Sequence, residues 1–255
     1  MKPWRLSEVK YSYVKDNPYE AAVLPIGTTE PHNLHLPYGT DTIETEILGD
    51  LICERAYSLG AKVALLPCLP FSVDSNLLGF PMTLSLNPST LDVIIRDIIV
   101  SIELHQIRKL VILNGHGGNS LKHTLREFFG KTTVHLSLVN WYEVAQDRYS
   151  ELFEDAGDHA GEMETSLALH LFPELVDLSL ADDGAVKQPR LDGMKEKWVH
   201  VTRPWHIVTK NTGCGDPRKA TAEKGKKLTE IIVERVGRYL KELCAAEMDK
   251  NFPYE

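Results

Sequence analysis

Short apolar runs alternate with helical patterns along most of this chain, and that alternation constrains its fold more than any other feature. We interpret four runs as buried strands, at 21–26, 62–69, 109–113 and 132–140. Patterns typical of helices occupy 42–60, 89–107, the stretch after 119 to about 129, 142–153, 161–171 and 217–246. Alternating strands and helices predict an α/β fold in which a mostly parallel sheet is covered on both faces.

Local signals refine two of these predictions. Ser89 has the chemistry of an N-cap for the second helix, in which Asp92 and Arg96 are spaced for an i,i+4 ion pair. The region 181–216 is polar and irregular, with scattered glycine, proline and tryptophan. A lid over a site, an oligomer contact and an ordinary surface excursion are all consistent with that pattern.

Composition excludes several classes of protein. The 255 residues suffice for one large domain or two small ones, and the net charge of -8 argues against a nucleic-acid partner. The most apolar stretch, LDVIIRDIIVSIEL, contains four charged residues and is too short to span a membrane. We read no signal peptide and therefore expect a cytoplasmic protein. Its four cysteines have no C-x-x-C spacing, which is typical of reduced structural thiols: Cys53, Cys68, Cys214 and Cys244.

Two polar loops follow predicted strands at the same edge of the sheet. The stretch GTTEPHNLHLPYGTD, residues 27–41, follows the first strand, and NGHGGN, residues 114–119, follows the third. In open α/β sheets ligands collect outside the carboxyl ends of the strands. We therefore expect these two loops to meet and to form a site.

The first two loops carry candidate metal ligands. Glu30 and His32 are two residues apart, so that in an extended segment both side chains point to one side. Asp41 follows just before a helix, where with Glu44 it also fits a capping box. His116 lies among glycines that let the backbone approach a ligand closely. A phosphate loop is a weak alternative, because NGHGGN lacks both the Lys-Ser/Thr of a P-loop and the G-x-G-x-x-G spacing.

A third cluster lies in DHAGEMETS, residues 158–166. His159 and Glu162 are spaced to share a helix face, and Glu164 would then point elsewhere. The glutamates could instead be first-turn carboxylates that interact with the helix dipole. Imidazoles and carboxylates together predict a site for Zn, Mn or Fe, and the surplus of carboxylates leaves room for a second ion.

The same stretches carry a family resemblance. LPIGTTEPHNLHLPYGTDT resembles the E-x-H-G-x-H-L-P-x-x-x-D signature of the creatininase (creatinine amidohydrolase) family. NGHGGN, HAGEMETSLALHLFPELV and GCGDPRKATAEKG are similar to further family stretches, in the same order and over most of the chain.

The resemblance implies a single three-layer α/β/α domain over residues 1–255 and a homo-oligomer, often a hexamer. It implies a centre of two divalent metal ions per subunit that hydrolyses a C–N bond in a small-molecule substrate. By the match, Glu30, Asp41 and His116 hold one ion, and His32 and Asp41 hold the other. His159 matches a histidine that moves protons near the scissile bond.

The chain departs from the family pattern at several positions. Creatininase has a ligand glutamate where this chain has Gly118, so another residue must supply that oxygen; Glu162 is the first choice and Glu164 the second. Asn33 replaces a usual glycine. The segment FSVDSNLLGFPMT, residues 71–83, resembles Y-G-x-S-x-x-H-x-x-F-P-G-T but has Leu77 for histidine and Met82 for glycine. We expect this segment to form part of the substrate pocket.

We therefore expect a metal-dependent hydrolase of the amide bond in a small cyclic amide or formamide. In this hypothesis His159 or Glu162 delivers a proton to the leaving nitrogen. One alternative is another activity known in the family, such as that of a formamide hydrolase or a peptidase of cofactor biosynthesis. A metal-binding oligomeric scaffold without turnover is the alternative from a different class.

Overall fold

The computed structural model describes residues 1–254, which are built around one sheet of four parallel strands. The strand order is β2-β1-β3-β4. The central strands β1 and β3 pair from Ala22 with Leu110 to Ile26 with Asn114, so both end at the same edge of the sheet. The strands are β1 Ala21–Ile26, β2 Val63–Leu65, β3 Lys109–Asn114 and β4 His135–Asn140.

Helices connect the strands and cover the sheet. None of the helices in the described chain is long and apolar enough to cross a membrane. Their bounds are α1 Tyr11–Asp16, α2 Thr40–Ser58, α3 Pro88–Leu104, α4 Lys122–Phe128, α5 Tyr149–Leu152, α6 Glu162–Leu171, α7 Asp192–Lys195, α8 Trp205–Val208 and α9 Ala222–Ala245.

The strand side chains alternate between two separate cores. On one face, Val23 and Val111 pack with residues of α2 and α9, such as Leu48 and Ile232. On the other, the strand residues Leu24 and Ile112 pack with Ile95 of α3 and Phe128 of α4. A strand buried on both faces needs apolar residues at successive positions, which is why the runs in β1 and β3 are continuous. The predicted three-layer α/β/α architecture is confirmed.

Several predicted boundaries were wrong. The second strand ends at Leu65 instead of residue 69: after the bond from the Leu66 N–H to the Val23 carbonyl, the next bond to β1 comes only from Leu69, which donates to the Pro25 carbonyl. Helix α3 begins at Pro88 after Asn87, and Ser89 lies inside it rather than at its N-cap. The predicted pair of Asp92 with Arg96 is replaced by a bond from Thr124 Oγ1 to Asp92 and by a contact of Arg96 with Asp97.

Two later regions also differ from the pattern. The predicted helix at 142–153 is divided into short 3₁₀ turns followed by the four-residue α5. The last helix begins at Ala222, after Thr221, whose hydroxyl accepts the N–H of Lys224 and so caps it. The irregular region 181–216 folds back over the carboxyl edge of the sheet, where it contacts the loop after β1 through Thr212.

Candidate metal centre

The loops after β1 and β3 meet at the start of α2. Gly115, directly after β3, makes this approach possible: a Cβ there would lie 1.7 Å from the Thr45 hydroxyl oxygen and 3.1 Å from the Asp41 carbonyl oxygen. Any larger residue would push the loop away from α2. The glycine therefore brings His116 within reach of Asp41 in the first turn of α2.

Four of the residues selected from the sequence form one buried cluster. Asp41 lies between two imidazoles, with Oδ1 2.8 Å from Nε2 of His32 and Oδ2 2.9 Å from Nδ1 of His116. Glu30 Oε1 lies 2.9 Å from the same His116 nitrogen and 4.0 Å from His32 Nε2. The most exposed of the four, His116, is only 5% accessible. The structure thus brings Glu30, His32, Asp41 and His116 together at the edge where the two loops were expected to meet.

The alternative role of Asp41 as a helix cap was wrong. Helix α2 begins after Gly39, and within the described residues no side chain caps it. Both carboxylate oxygens of Asp41 face imidazoles instead. Its presumed capping partner Glu44 is fully buried, and both of its oxygens lack a hydrogen-bond donor anywhere in residues 1–254. Burial and the charges of Glu164 and Asp41 hold the pKa of Glu44 well above its usual value.

Backbone carbonyls orient three imidazoles of the site. Nδ1 of His32 lies 3.0 Å from the Glu30 carbonyl, Nε2 of His116 lies 3.0 Å from the Val73 carbonyl, and Nε2 of His159 lies 3.0 Å from the Pro31 carbonyl. A carbonyl oxygen can only accept, so the facing ring nitrogen carries a proton and donates it. The other nitrogen of each ring faces the carboxylates, as in metal sites whose second ring nitrogen is held by a backbone oxygen.

The third cluster contributes a different glutamate from the one preferred from the sequence. Helix α6 begins at Glu162, after Gly161, so His159 lies outside the helix and the i,i+3 argument for Glu162 does not apply. Oε1 of Glu164 lies 3.6 Å from His32 Nε2, and its other oxygen accepts the N–H of Ala160. Glu164 therefore lies beside the cluster.

Glu162 is buried but is occupied elsewhere. One carboxylate oxygen accepts the backbone N–H groups of Glu154 and Asp155 at 2.9 and 3.1 Å, and the other accepts the ammonium group of Lys224. These contacts join the start of α6 to the preceding loop and to α9. The structure does not bring Glu162 into any of the ligand groups found among its described residues.

Donor atoms that could hold cations form three overlapping groups. In each group the atoms lie within 4.8 Å of one another. The groups are Glu30 with His32 and His159, Glu30 with Asp74 and His116, and His32 with Asp41 and Glu164. Asp74 was not among the candidates selected from the sequence. The sequence did contain a signal, since Asp74 stands where the quoted pattern Y-G-x-S has serine.

The electrostatics of the cluster favour added positive charge. Burial alone would lower the pKa of His32, but the charges of Glu164 and Asp41 raise it well above its usual value. Burial opposes ionisation of Asp41, yet the two imidazoles hold its pKa below the usual range. Oε2 of Glu30 has no hydrogen-bond donor among the described residues, and Oε1 shares the Nδ1 of His116 with Asp41. Buried carboxylates without donors, mixed with imidazole nitrogens, fit divalent Zn, Mn or Fe.

A cavity of about 300 Å³ opens onto the cluster. Asn76 and Leu77 form part of its wall, so the segment 71–83 contributes to the pocket as expected. The indole N–H groups of Trp141 and Trp205 are buried, and neither has an acceptor among residues 1–254.

The irregular region 181–216 supplies one side of this cavity. It contributes Arg203 and Trp205, and the Trp205 ring lies 5.1 Å from that of His159. Asn33 holds the region in place, because its Nδ2 donates to Asp182 Oδ1 at 2.8 Å and its backbone N–H donates to the Thr212 hydroxyl at 2.8 Å. Asn33 has φ +53°, which explains why glycine is usual at this position.

Comparison with known proteins agrees with this geometry. The family model for creatinine amidohydrolase matches residues 7–240. The chain belongs to the creatininase family. As a creatininase-family member it is a hydrolytic enzyme, and its relatives act on different substrates. It is 29% identical over 242 residues to creatinine amidohydrolase of Pseudomonas putida, covering 86% of this chain and 88% of the relative. It is 27% identical over 225 residues to the mycofactocin precursor peptide peptidase of Mycobacterium ulcerans, covering 85% and 82%.

Solved structures of the creatininase family share the fold. A Bacteroides fragilis protein described provisionally as a creatinine amidohydrolase is 36% identical and superposes with a TM-score of 0.89, over 98% of this chain and 100% of that one. A creatininase variant described as the Zn–Zn type is 25% identical, with a TM-score of 0.74 over 96% and 100% of the two chains. The relatives thus support a divalent metal in this site.

Proposed function

We propose that this creatininase-family member binds two divalent metal ions per subunit and hydrolyses a C–N bond in a small cyclic amide or formamide. One observation carries the proposal: Asp41 lies between His32 and His116 with one oxygen toward each ring, at the base of a cavity. A carboxylate in that position can bridge two ions. The buried carboxylates around it would neutralise the positive charge of the two ions, which would otherwise be costly to bury.

The donor groups divide into two ligand sets that share Asp41. Glu30, Asp41 and His116 would hold one ion, and His32, Asp41 and Glu164 the other. Glu164 in this role replaces the oxygen that Gly118 cannot supply, and its Oε1 already lies 3.6 Å from His32. When bound, such ions lower the pKa of a coordinated water and polarise the carbonyl of the substrate.

His159 has the position to transfer a proton. Its ring lines the cavity, Nε2 is held by the Pro31 carbonyl, and Nδ1 lies 3.9 Å from Glu30 Oε1. Nδ1 is therefore the nitrogen that can take a proton near Glu30 and pass it to the leaving nitrogen of the substrate. Glu162 has no such position, and we assign it a structural role at the start of α6.

The cavity supports a compact polar substrate. Its volume of about 300 Å³ is at the small end for ligand sites. Its lining includes the polar side chains of Asn76, Gln146 and Arg203, which can donate to the carbonyl or another acceptor of the substrate. A short peptide is the second candidate, favoured by the relative that acts on a precursor peptide.

An activity screen tests this function. Purified protein loaded with Zn²⁺ or Mn²⁺ is assayed with lactams including creatinine, with formamides and with short peptides. We expect turnover of a small amide that disappears in Asp41→Asn, which keeps the size of the side chain but removes the bridging charge. Full metal occupancy without turnover of any of these compounds would refute the proposal and favour a scaffold role.

We also propose that the chain assembles into a homo-oligomer larger than a dimer, consistent with a hexamer. Several large apolar side chains in the irregular region 181–216 are exposed, among them Leu191, Trp198, Val201 and Ile207. Such a patch is typical of a protein interface. Sedimentation at micromolar concentration should give a mass well above 57 kDa, about twice the 28.7 kDa chain. A stable monomer would refute the assembly.

A further inference from the structure

We propose that Asp74 is a direct ligand of the metal ion that Glu30 and His116 hold. This inference rests on the proposed two-metal function and adds a carboxylate that the family pattern, with serine at this position, does not contain. It gives the first ion four protein ligands, from Glu30, Asp41, Asp74 and His116. The second ion keeps three, from His32, Asp41 and Glu164.

The placement of Asp74 is fixed by the same contacts that fix His116. The Val73 carbonyl accepts the Nε2 proton of His116 at 3.0 Å, one residue before Asp74. On the other side, the backbone N–H of Asp74 donates to the Ser85 hydroxyl at 2.9 Å. The Asp74 carboxylate is thereby held within 4.8 Å of the donor atoms of Glu30 and His116.

The Asp74 side chain lacks the contacts of a structural aspartate. It is fully buried, yet neither carboxylate oxygen accepts a hydrogen bond from any residue of the described chain. Buried carboxylates that serve structure accept several hydrogen bonds, as Glu162 does here. A cation between Asp74, Glu30 and His116 would satisfy both oxygens and remove the repulsion between the two carboxylates.

Charge balance points the same way. Glu30, Asp41, Asp74 and Glu164 contribute four negative charges to the cluster, and two divalent ions contribute four positive charges. Neutral imidazoles then complete both ligand sets. Asp74 brings the carboxylate charge of the centre from -3 to -4, which equals the combined charge of the two ions in magnitude.

Metal titration of matched variants tests the ligand. Asp74→Asn and Asp74→Ser are compared with Asp97→Asn, a change at a carboxylate whose side chain is 70% exposed on α3. Mn²⁺ binding is measured by isothermal titration and by electron paramagnetic resonance of the free ion. We expect two ions in the control, and in both Asp74 variants a rise in one dissociation constant of at least tenfold, because losing even a group that only hydrogen-bonds a ligand costs about 10–100-fold in metal affinity. Two ions bound with unchanged constants would overturn the inference.

A spectroscopic variant separates direct ligation from an indirect effect through His116. Asp74→Cys places a thiolate where the carboxylate was, and Co²⁺ then reports on it. A sulfur-to-cobalt charge-transfer band, absent from the wild-type protein, is expected only if the side chain at position 74 touches the metal. Weakened binding in Asp74→Asn without that band in cobalt-loaded Asp74→Cys would make Asp74 a positioning residue and overturn direct ligation.

The outcomes distinguish a failure of this inference from a failure of the proposed function on which it rests. If the wild-type protein binds no metal, both are overturned. If it binds two ions but hydrolyses none of the screened compounds, only the hydrolase proposal fails, and the titrations still decide the role of Asp74. If it is active and the Asp74 variants bind metal normally, only the inference about Asp74 fails.

Discussion

Glu162 and Glu164 lie two residues apart, and the structure predicts opposite consequences for changing each to glutamine. Glu162 is 1% exposed and accepts hydrogen bonds from two backbone N–H groups and from Lys224. Glu164 lies beside His32. We expect Glu162→Gln to lose stability and keep both metal ions, and Glu164→Gln to lose one ion and keep its stability in the metal-free state.

The magnitude for Glu162 follows from its contacts. A hydrogen bond to a charged group contributes about 1.5–3 kcal/mol. Glutamine retains one acceptor oxygen, so part of this set survives. The Lys224 side chain is 26% exposed and can regain water, which makes the loss smaller than the 3–5 kcal/mol typical of a broken buried pair. We expect a decrease of about 2–3 kcal/mol in the free energy of unfolding, or roughly 4–12 °C in melting temperature.

Two assays on the same preparations check this pair. Thermal or urea unfolding is followed by circular dichroism in the presence of a chelator, and metal content is then measured after reloading. Lys224→Met provides a further control, because in the double variant with Glu162→Gln the two losses should not add. If Glu162→Gln loses a metal ion while its metal-free form unfolds like wild type, the structural assignment of Glu162 is wrong and the first choice from the sequence is restored.

Three further predictions concern residues around the centre. Asn33→Ala should destabilise the protein by about 2–3 kcal/mol in urea unfolding, because alanine disfavours φ +53° and the side-chain hydrogen bonds are lost. Asn33→Gly accepts that φ and should cost only about 1 kcal/mol. Equal losses in the two variants would contradict this prediction. Glu44 has a pKa raised by burial, so its contribution to stability is fully present below the unfolded value near 4.5 and is lost as pH rises toward the folded value. The free energy of unfolding of metal-free Glu44→Gln should therefore rise relative to that of wild type by up to about 1.4 kcal/mol per pH unit between pH 5 and 8. A difference that does not depend on pH would exclude this. Burial raises the pKa of the thiols, to about 12 for Cys68 and Cys244 and about 11 for Cys214. Iodoacetamide at pH 8 should therefore label the native protein far more slowly than the urea-unfolded protein. Equal labelling rates would show that the thiols are exposed. The same labelling experiment measures the reactivity of all four cysteine thiols: Cys53, Cys68, Cys214 and Cys244.

The sequence was most informative where burial dictates composition. The run AAVLPI predicted β1 at its observed bounds, because a strand covered on both faces must be apolar at successive positions. The position of the site followed from topology, since loops after adjacent parallel strands meet at one edge. For the same reason Glu30, His32, Asp41 and His116 could be selected without knowing any distance.

The choice between Glu162 and Glu164 depended on one or two residues of backbone. Preferring Glu162 to Glu164 required a helix that includes His159, but the left-handed conformation of Ala160, with φ +49°, separates His159 from α6. A helix start is the least certain feature of a sequence pattern, and here it decides which carboxylate faces His32. Asp74 was missed because only the folded loop shows that its carboxylate has no hydrogen bond.

The way in which the imidazoles are held explains how one centre can serve different substrates. His32, His116 and His159 are each oriented by a backbone carbonyl, from Glu30, Val73 and Pro31 respectively. A backbone oxygen is present whatever side chain the residue carries, so these contacts survive substitution in the surrounding loops. Side chains in the loop that carries Val73, including Asn76 and Leu77, are then free to vary and to shape the cavity. Constraint on the imidazoles and freedom in the pocket therefore coexist within that loop, and the family relatives include a creatinine amidohydrolase and a precursor peptide peptidase.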